Sequence, residues 1–200
     1  MSEDIRVYKT KLAIKRGFIE LLQQQHFKEI TIKNICDQAL IGRSTFYSHY
    51  LDKYDLLEKM VQQHVLDFTN EIKQRFDSID EGKVADAIEF VTDTMIEHQI
   101  EISTLLEVHE ETADLRKEFE HILFRTCLDY LTRHFSSSTI ALDYLAELYA
   151  ANSIVFLNRV LRHGKEPPII LLANQMQQYI FGQLKPNRMF NSNNDEKGKV

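Results

Sequence analysis

The sequence predicts an all-α protein that begins with a helix-turn-helix domain. Apolar residues recur at helical spacing through most of the 200 residues, and only three prolines and six glycines interrupt them. Strands would need more turns than these residues provide, so long helices are the natural interpretation. A hydrophobic fraction of 44% with 27% charged residues is typical of a globular chain of one or two domains.

The first short helix of the motif is predicted to follow Thr31. Ile32, Ile35 and Ala39 recur at spacings of three and four, which places them on one face of a helix of two turns. The Thr31 hydroxyl can accept a hydrogen bond from a free backbone N–H, so we expect it to cap this helix.

A compact turn and a second helix complete the motif. In the turn, Ile41 supplies an apolar plug, and Gly42 either takes an unusual backbone angle or serves as a modest N-cap. Phe46 and Tyr50 lie four residues apart, so we expect them to share the buried face of the second helix. Its other face carries polar hydrogen-bonding groups, namely Arg43, Ser44, Thr45, Tyr47, Ser48 and His49.

This arrangement predicts that the chain reads DNA. In helix-turn-helix proteins, the N-terminal residues of the second helix reach base edges in the major groove. We therefore expect base contacts from Arg43, Ser44 and Thr45, and the arginine fork suits O6 and N7 of guanine. Residues further along are expected to hold phosphates, which sets the register without reading sequence; they are Tyr47, His49 and Lys53. Thr31, at the start of the first helix, is a further candidate for contact with DNA.

Residues 8 to 60 resemble the N-terminal domain of TetR-family transcriptional regulators. The resemblance is carried by the run Thr45-Phe46-Tyr47-x-His49-Tyr50-x-Asp52-Lys53-x-x-Leu56-Leu57 and by the preceding run Phe27-x-x-Ile30-Thr31-Ile32-x-x-Ile35. It implies a three-helix DNA-binding domain, a larger all-helical C-terminal domain for effector binding and dimerisation, and usually repression. Two positions depart from the family pattern: Leu40 stands where Gly is common, and Gly42 where a Ser or Thr cap is common.

Charge is distributed unevenly along the chain. Residues 1 to 53 carry nine Lys or Arg against six Asp or Glu, a net charge of +3, whereas the remaining 147 residues carry 15 against 24, or −9. Carboxylates repel phosphate, so nucleic-acid contact is focused on the N-terminal part. Arg6, Lys9 and Lys11 would add contacts from an N-terminal arm; a solvated helix start explains them equally well.

No targeting signal or membrane span is expected. The first six residues are polar, and no apolar stretch is long enough to cross a bilayer. Cys36 and Cys127 lie in separate predicted helices outside any metal-like cluster, and reduced, buried thiols are the simplest interpretation. These features predict a cytoplasmic protein without a cofactor or a metal.

The remaining helices follow from periodicity and turn signals. The first helix is predicted from about 8 to 25, with Gly17 at a close helix approach and a buried stripe of Ile14, Phe18, Leu21 and Leu22. A long fourth helix is predicted from 53 to about 76, and further helices near 83–98, 100–110, 114–136, 139–163 and 168–184. The expected domains are a DNA-binding domain at 1–52, a ligand-binding and dimerisation domain at 53–185, and a flexible tail at 186–200.

The resemblance also implies an effector pocket and a dimer interface in the C-terminal domain. A small-ligand pocket has an apolar lining with a few polar groups; the candidates here are Met95, His98, Leu105, His109, Phe124, Cys127, Tyr130 and Phe156. The last two long helices would form a four-helix interface with a second chain through Leu145, Leu148, Ala151, Val155, Leu172, Met176 and Ile180. Ordinary core packing is the alternative for each of these residues. A two-fold dimer would favour a palindromic operator.

The predicted function is a dimeric, sequence-specific transcriptional regulator that acts as a repressor relieved by a small-molecule effector. An enzyme is not expected: Glu118 and His121 have the Glu-x-x-His spacing of di-iron bundles, but the sequence has no second such pair. It also has no HExxH motif, P-loop or nucleophile elbow. The alternative function is a helical regulator that acts mainly through a protein partner, with weak or co-ligand-dependent DNA binding; the departures at Leu40 and Gly42 leave it open.

Overall fold

The computed structural model describes residues 5–80, 84–137, 140–182 and 185–186. Within these ranges the chain forms nine α-helices, a 3-10 turn at Phe27–Glu29 and two short strands. The helices are α1 Ile5–Leu22, α2 Ile32–Gln38, α3 Arg43–Tyr47, α4 Lys53–Asp80, α5 Val84–Glu97, α6 Gln99–Leu105, α7 Leu115–His134, α8 Leu142–His163 and α9 Pro167–Gly182. The strands, β1 Phe135–Ser137 and β2 Lys185–Pro186, pair antiparallel. The predicted all-α class is confirmed.

The helix ends differ from the predicted ones by several residues. α1 begins at Ile5 rather than residue 8, α4 continues to Asp80, and α6 ends at Leu105 rather than residue 110. Periodicity locates the body of a helix, whereas its ends depend on local hydrogen bonds that the apolar pattern does not record. Pro186, the first residue of the predicted tail, pairs with Phe135, and residues 187–200 lie outside the described part of the chain.

The described residues divide into two compact units. The first lies within Met1–Asp67 and His98–Arg116, and the second within Phe68–Glu97 and Lys117–Val200. α4 begins in the first unit and ends in the second, and its 28 residues span about 42 Å at about 1.5 Å per residue. The packing division thus differs from the predicted boundary after residue 52. The DNA-binding and ligand-binding roles assigned to the predicted ranges stay predictions.

The core of the first unit forms where α1 packs on α2. Ile14 and Phe18 of α1 are fully buried, as the helical stripe predicts, whereas Leu22 at the end of the helix is partly exposed. A Cβ atom added to Gly17 would lie 3.2 Å from the backbone nitrogen of Ala39. The predicted close helix approach at Gly17 is therefore confirmed, and it fixes α2 against α1.

Aromatic side chains fill the core of the second unit. The ring of Phe68 on α4 stacks on that of Phe119 on α7, with 3.9 Å between the centroids. Further along α4, the centroid of Phe76 lies 5.0 Å from that of Tyr130 and 5.5 Å from that of Tyr149. These contacts tie α4, α7 and α8 together around one apolar interior.

Candidate nucleic-acid interface and ligand cavity

The turn between α2 and α3 is set by a C-terminal helix cap. The backbone N–H of Leu40 donates to the carbonyl of Asp37 at 3.3 Å, and that of Ile41 donates to the carbonyl of Cys36 at 3.0 Å. This pair of bonds requires the first residue after the helix cap to take a left-handed conformation. That residue is Leu40, and its φ is 54°. Gly42 has an extended backbone and is the N-cap of α3. The unusual angle that we considered for Gly42 is therefore held by Leu40.

The start of α2 is fixed by a reciprocal cap. The Thr31 hydroxyl accepts a hydrogen bond from the backbone N–H of Asn34 at 3.2 Å, and the Asn34 side-chain oxygen accepts one from the N–H of Thr31 at 2.9 Å. The predicted capping role of Thr31 is thus confirmed. The residue is exposed, and its contact with DNA stays a prediction.

Two aromatic residues anchor α3 to the first unit. Phe46 is fully buried and Tyr50 almost so, and their ring centroids lie 5.7 Å apart. The expected inward face is therefore confirmed, although α3 ends at Tyr47 and Tyr50 lies beyond it. This anchoring leaves the opposite side of the short helix free for contacts with another molecule.

The exposed side of α3 carries most of the residues that are predicted to contact bases or phosphates. Arg43 and Tyr47, one turn apart, are both exposed, and Ser44 lies exposed beside Arg43. Thr45 is half-buried, and His49 is half-buried beside the ring of Tyr50. Among the described residues, no ion pair engages the guanidinium of Arg43. The geometry leaves that cation available to a ligand outside the chain.

Lys53 has a structural role that the sequence did not indicate. Its ammonium donates to the backbone carbonyls of Phe27 at 2.8 Å, Lys28 at 3.0 Å and Ile30 at 2.8 Å. It also lies 4.7 Å from the centroid of the Phe27 ring, and burial lowers the pKa of Lys53. An ammonium has three donors, and these bonds use all of them. Phosphate contact by Lys53 stays a prediction that would require at least one of these bonds to be exchanged.

Only some of the basic residues at the start of α1 lie beside the α2–α3 turn. Arg6 and Lys9 of α1 line a shallow groove together with Ile41 from the α2–α3 turn, whereas Lys11 does not line it. Two of the three predicted arm residues are therefore placed beside the helix-turn-helix. A contact from this groove to DNA stays a prediction.

The second unit contains an apolar cavity of about 310 Å³. Its walls come from α4, α5, α7, α8 and α9. Of the eight predicted effector residues, Phe156 lines it, while His98, Leu105 and His109 lie in the first unit. Among the remaining predicted residues, Phe124 is half-buried, and the others are buried away from the cavity lining: Met95, Cys127 and Tyr130. The structure therefore does not bring the predicted set together.

The polar groups of this cavity were missed by the sequence reasoning. Arg75, Tyr149 and Gln177 all line the cavity, and all three are buried. A signal for Arg75 exists in the sequence: it follows the apolar stripe residues Phe68 and Ile72 at helical spacing, where a charge is unusual. The positions that face it on α8 and α9 carry no comparable signal.

Both cysteines are buried, as the sequence suggested. Burial raises the pKa of the Cys127 thiol to about 12, and burial is also the main cause that raises the pKa of Cys36. Neither thiol is therefore poised as a reactive thiolate near neutral pH. Within the described ranges, no group of His, Cys, Asp or Glu residues has an arrangement that could hold a metal ion.

The predicted dimer residues fall into two groups. Leu145 and Ile180 are buried inside the second unit, and their part in an interface stays a prediction. The other predicted residues are exposed on α8 and α9: Leu148, Ala151, Val155, Leu172 and Met176. Tyr144, Leu171 and Tyr179 extend this apolar face. Surface association through it stays a prediction.

No helix among the residues that the structure describes combines the length and the apolar composition needed to cross a membrane. The fold and the site define a class: an all-helical protein with a helix-turn-helix in one unit and an apolar cavity in the other.

No family model matches the chain. A curated relative from Bacillus subtilis (strain 168), the uncharacterized HTH-type transcriptional regulator YxbF, is 39% identical over 61 residues. That match covers 30% of this chain and 16% of the relative.

Solved structures share the fold over almost the whole chain. NalD, the secondary repressor of the MexAB-OprM multidrug efflux pump in Pseudomonas aeruginosa, is 17% identical with a TM-score of 0.65, over 89% of this chain and 98% of NalD. A TetR transcriptional regulator from Streptococcus agalactiae 2603V is 24% identical with a TM-score of 0.57, over 86% and 94%. The fatty acid degradation regulator FadR from Bacillus halodurans is 14% identical with a TM-score of 0.62, over 94% and 100%. The chain has the fold of TetR-family transcriptional regulators.

Proposed function

We propose that this protein is a TetR-type transcriptional regulator that reads DNA sequence through α3 and is not an enzyme. The observation that carries the proposal is the exposed pair of Arg43 and Tyr47, held outward by the buried Phe46 beneath them. A short helix anchored in this way presents its first turn to a major groove. The match to an HTH-type regulator and the TetR-family fold support the same assignment.

We propose further that the protein acts as a homodimer on a palindromic operator. The exposed apolar side chains of α8 and α9 support this, because a single chain that leaves such a face in water has a strong tendency to associate. A two-fold dimer carries two copies of α3, and half-sites about one helical turn apart would match them.

Repression relieved by a small molecule is the proposed mode of action. The apolar cavity of the second unit supports the effector part, since its volume of about 310 Å³ lies within the range of about 300–1,000 Å³ typical of small-ligand sites. A regulator of this kind would release its operator when the cavity is filled, because the ligand then stabilises a conformation with lower DNA affinity.

The test begins with selection of bound sequences from a random double-stranded DNA pool, followed by fluorescence anisotropy on the enriched sequence. We expect a palindromic sequence that binds tightly and loses affinity as salt rises. Arg43→Ala should weaken binding to this sequence by about 1–3 kcal/mol and relax the preference at one base pair of each half-site. Binding to random DNA should change much less.

The matched control is Arg125→Ala, which removes an exposed arginine from α7. It changes the net charge by the same amount, so it should leave the affinity and the base preference intact. Equal losses on selected and random DNA for Arg43→Ala would remove the base-reading role of Arg43. A folded dimer that enriches no sequence would overturn the proposal and favour the alternative of a regulator that acts through a protein partner.

A further inference from the structure

A buried arginine lies in the wall of the cavity in the second unit. Arg75 on α4 is only 7% exposed, and its Nη2 atom donates a hydrogen bond to the Oε1 atom of Gln177 on α9. Its Nε atom is buried without a hydrogen-bond partner. No ion pair to Arg75 is found among the described residues. A buried guanidinium without an anion is costly, so this wall is built to receive negative charge.

Tyr149 adds a second donor to the same cavity. The residue is 1% exposed, and its hydroxyl is buried without a hydrogen-bond partner. Burial is the main cause that raises the pKa of Tyr149, while the positive charge of Arg75 and the Ser153 hydroxyl, which can donate to the phenol oxygen, act in the opposite direction. The phenol is therefore neutral at physiological pH and has an O–H to donate. Two unused donors thus line one cavity.

The rest of the lining is mainly hydrocarbon. Ile72, Val91, Leu123, Leu157 and Ile180 are among the residues that form the walls. A cavity of about 310 Å³ is small for a ligand site, so it suits a molecule with a short hydrocarbon body and a single polar end.

We propose that this cavity binds a small monocarboxylate with a hydrocarbon body, whose carboxylate accepts hydrogen bonds from Arg75 Nε and the Tyr149 hydroxyl. The planar guanidinium and a carboxylate are matched in geometry as well as in charge. An alcohol of the same length would leave the positive charge without a counter-ion, and an amine would be repelled by it. The inference rests on the effector part of the proposed function and specifies the class of effector.

Two other ionisable residues lie in the cavity wall or next to it. Glu71 lies one turn before Arg75 on α4 and is buried, but it does not line the cavity, and it has an interaction of its own. Arg159, the other arginine in the lining, is exposed at the rim, and its Nη2 donates to Oε1 of Glu166 at 2.8 Å. Arg159 already has its anion, so Arg75 is the residue left to bind one.

The test is isothermal titration calorimetry on the full chain without DNA. The probes are octanoate and decanoate, compared with 1-decanol and decylamine, each below its aggregation concentration. We expect decanoate to bind saturably with one molecule per chain, and the alcohol and the amine to bind at least tenfold more weakly. Arg75→Met and Tyr149→Phe should each weaken decanoate binding, Arg75→Met by at least tenfold, because each removes one donor to the carboxylate.

Arg125→Met is the matched control and should leave decanoate affinity unchanged, since it removes an exposed arginine of α7 that does not line the cavity. Tyr149→Phe removes only one oxygen, so it keeps the test decisive if Arg75→Met alters the fold; circular dichroism checks both variants. No saturable binding of either acid, equal binding of decanoate and 1-decanol, or undiminished decanoate binding by both folded variants would each overturn the inference. Binding through Arg75 without any change in DNA affinity would support the ligand class and instead refute its role as effector.

Discussion

Leu40 holds a left-handed backbone conformation that its side chain disfavours. Its φ is 54°, and its side chain is 92% exposed, so the residue gains almost no packing in return for the strain. Glycine lacks the Cβ that causes the strain, so it should stabilise the folded protein. Part of that stabilisation is offset by the greater freedom of glycine in the unfolded chain. We expect Leu40→Gly to raise the free energy of unfolding by about 0.5–1 kcal/mol, as measured by urea denaturation.

Leu40→Ala separates strain from the exposed apolar side chain. Alanine removes the same hydrophobic surface but keeps a Cβ, so its free energy of unfolding should stay below that of the glycine variant. Equal free energies of unfolding for the two variants would show that backbone strain at residue 40 does not lower the stability of the protein. The hydrogen bonds of the turn fix the backbone angle at residue 40 whichever side chain is present.

The ammonium of Lys53 joins the start of α4 to the 3-10 turn. Its three hydrogen bonds end on carbonyls of residues 27, 28 and 30, and the carbonyl of Phe27 also accepts from the backbone N–H of Ile30. We expect Lys53→Met to lower the free energy of unfolding by about 2 kcal/mol, because three bonds from a charged donor are lost and the partly buried carbonyl of Ile30 loses this donor. Lys59→Met is the control: its exposed pair with Asp55 is worth only about 0.3–0.5 kcal/mol. An unchanged urea midpoint for Lys53→Met would contradict this role.

At the scale of elements, α6 is connected to α4 by Glu101. Its Oε1 atom lies 3.1 Å from Nε2 of His64, and this hydrogen bond, partly opposed by burial, holds the pKa of Glu101 below its usual range. A carboxyl with a lowered folded pKa contributes stability above its unfolded pKa of about 4.5, and the contribution is lost as pH falls through the folded value. Ionised Glu101 therefore stabilises this contact near neutral pH.

We expect Glu101→Gln to be less stable than the wild-type protein at pH 7, because glutamine forms a weaker bond with His64 and carries no charge. The difference in free energy of unfolding should shrink once the pH falls below about 4.5, where the wild-type carboxyl becomes protonated. Urea denaturation across this pH range measures it, with the exposed Glu118→Gln as control. A difference that stays constant down to pH 3 would rule out the titration of Glu101 as its cause.

Periodicity predicts where the helices of this chain lie better than it predicts which of them contact one another. The positions of α2 and α4 follow from apolar spacing and from caps at Thr31 and Asp52, which are local features. The cavity depends on which side chains of α4, α8 and α9 face one another, and one sequence does not encode that separately from core packing. His98 and Leu105 were grouped with Phe156 by residue type alone, and they lie in different units. Residue chemistry therefore identified a kind of site without locating it.

At the scale of the whole molecule, DNA recognition and association of two chains are expected to be coupled. A single α3 has only five residues and offers few base contacts. A two-fold dimer binds both half-sites of a palindrome, and the second contact then forms at high effective concentration. Loss of the dimer should therefore lower DNA affinity far more than the loss of one side chain from α3.

Leu148→Asp tests this coupling without touching the cavity lining. A carboxylate in the middle of the exposed apolar face of α8 would be buried unpaired at an interface, so we expect a monomer in sedimentation equilibrium and a fall in operator affinity on the order of 100-fold. Leu66→Asp, at an exposed leucine of α4, is the control and should remain a dimer. A Leu148→Asp protein that stays dimeric and keeps its operator affinity would place the interface elsewhere, because no dimer could tolerate that charge at its apolar centre.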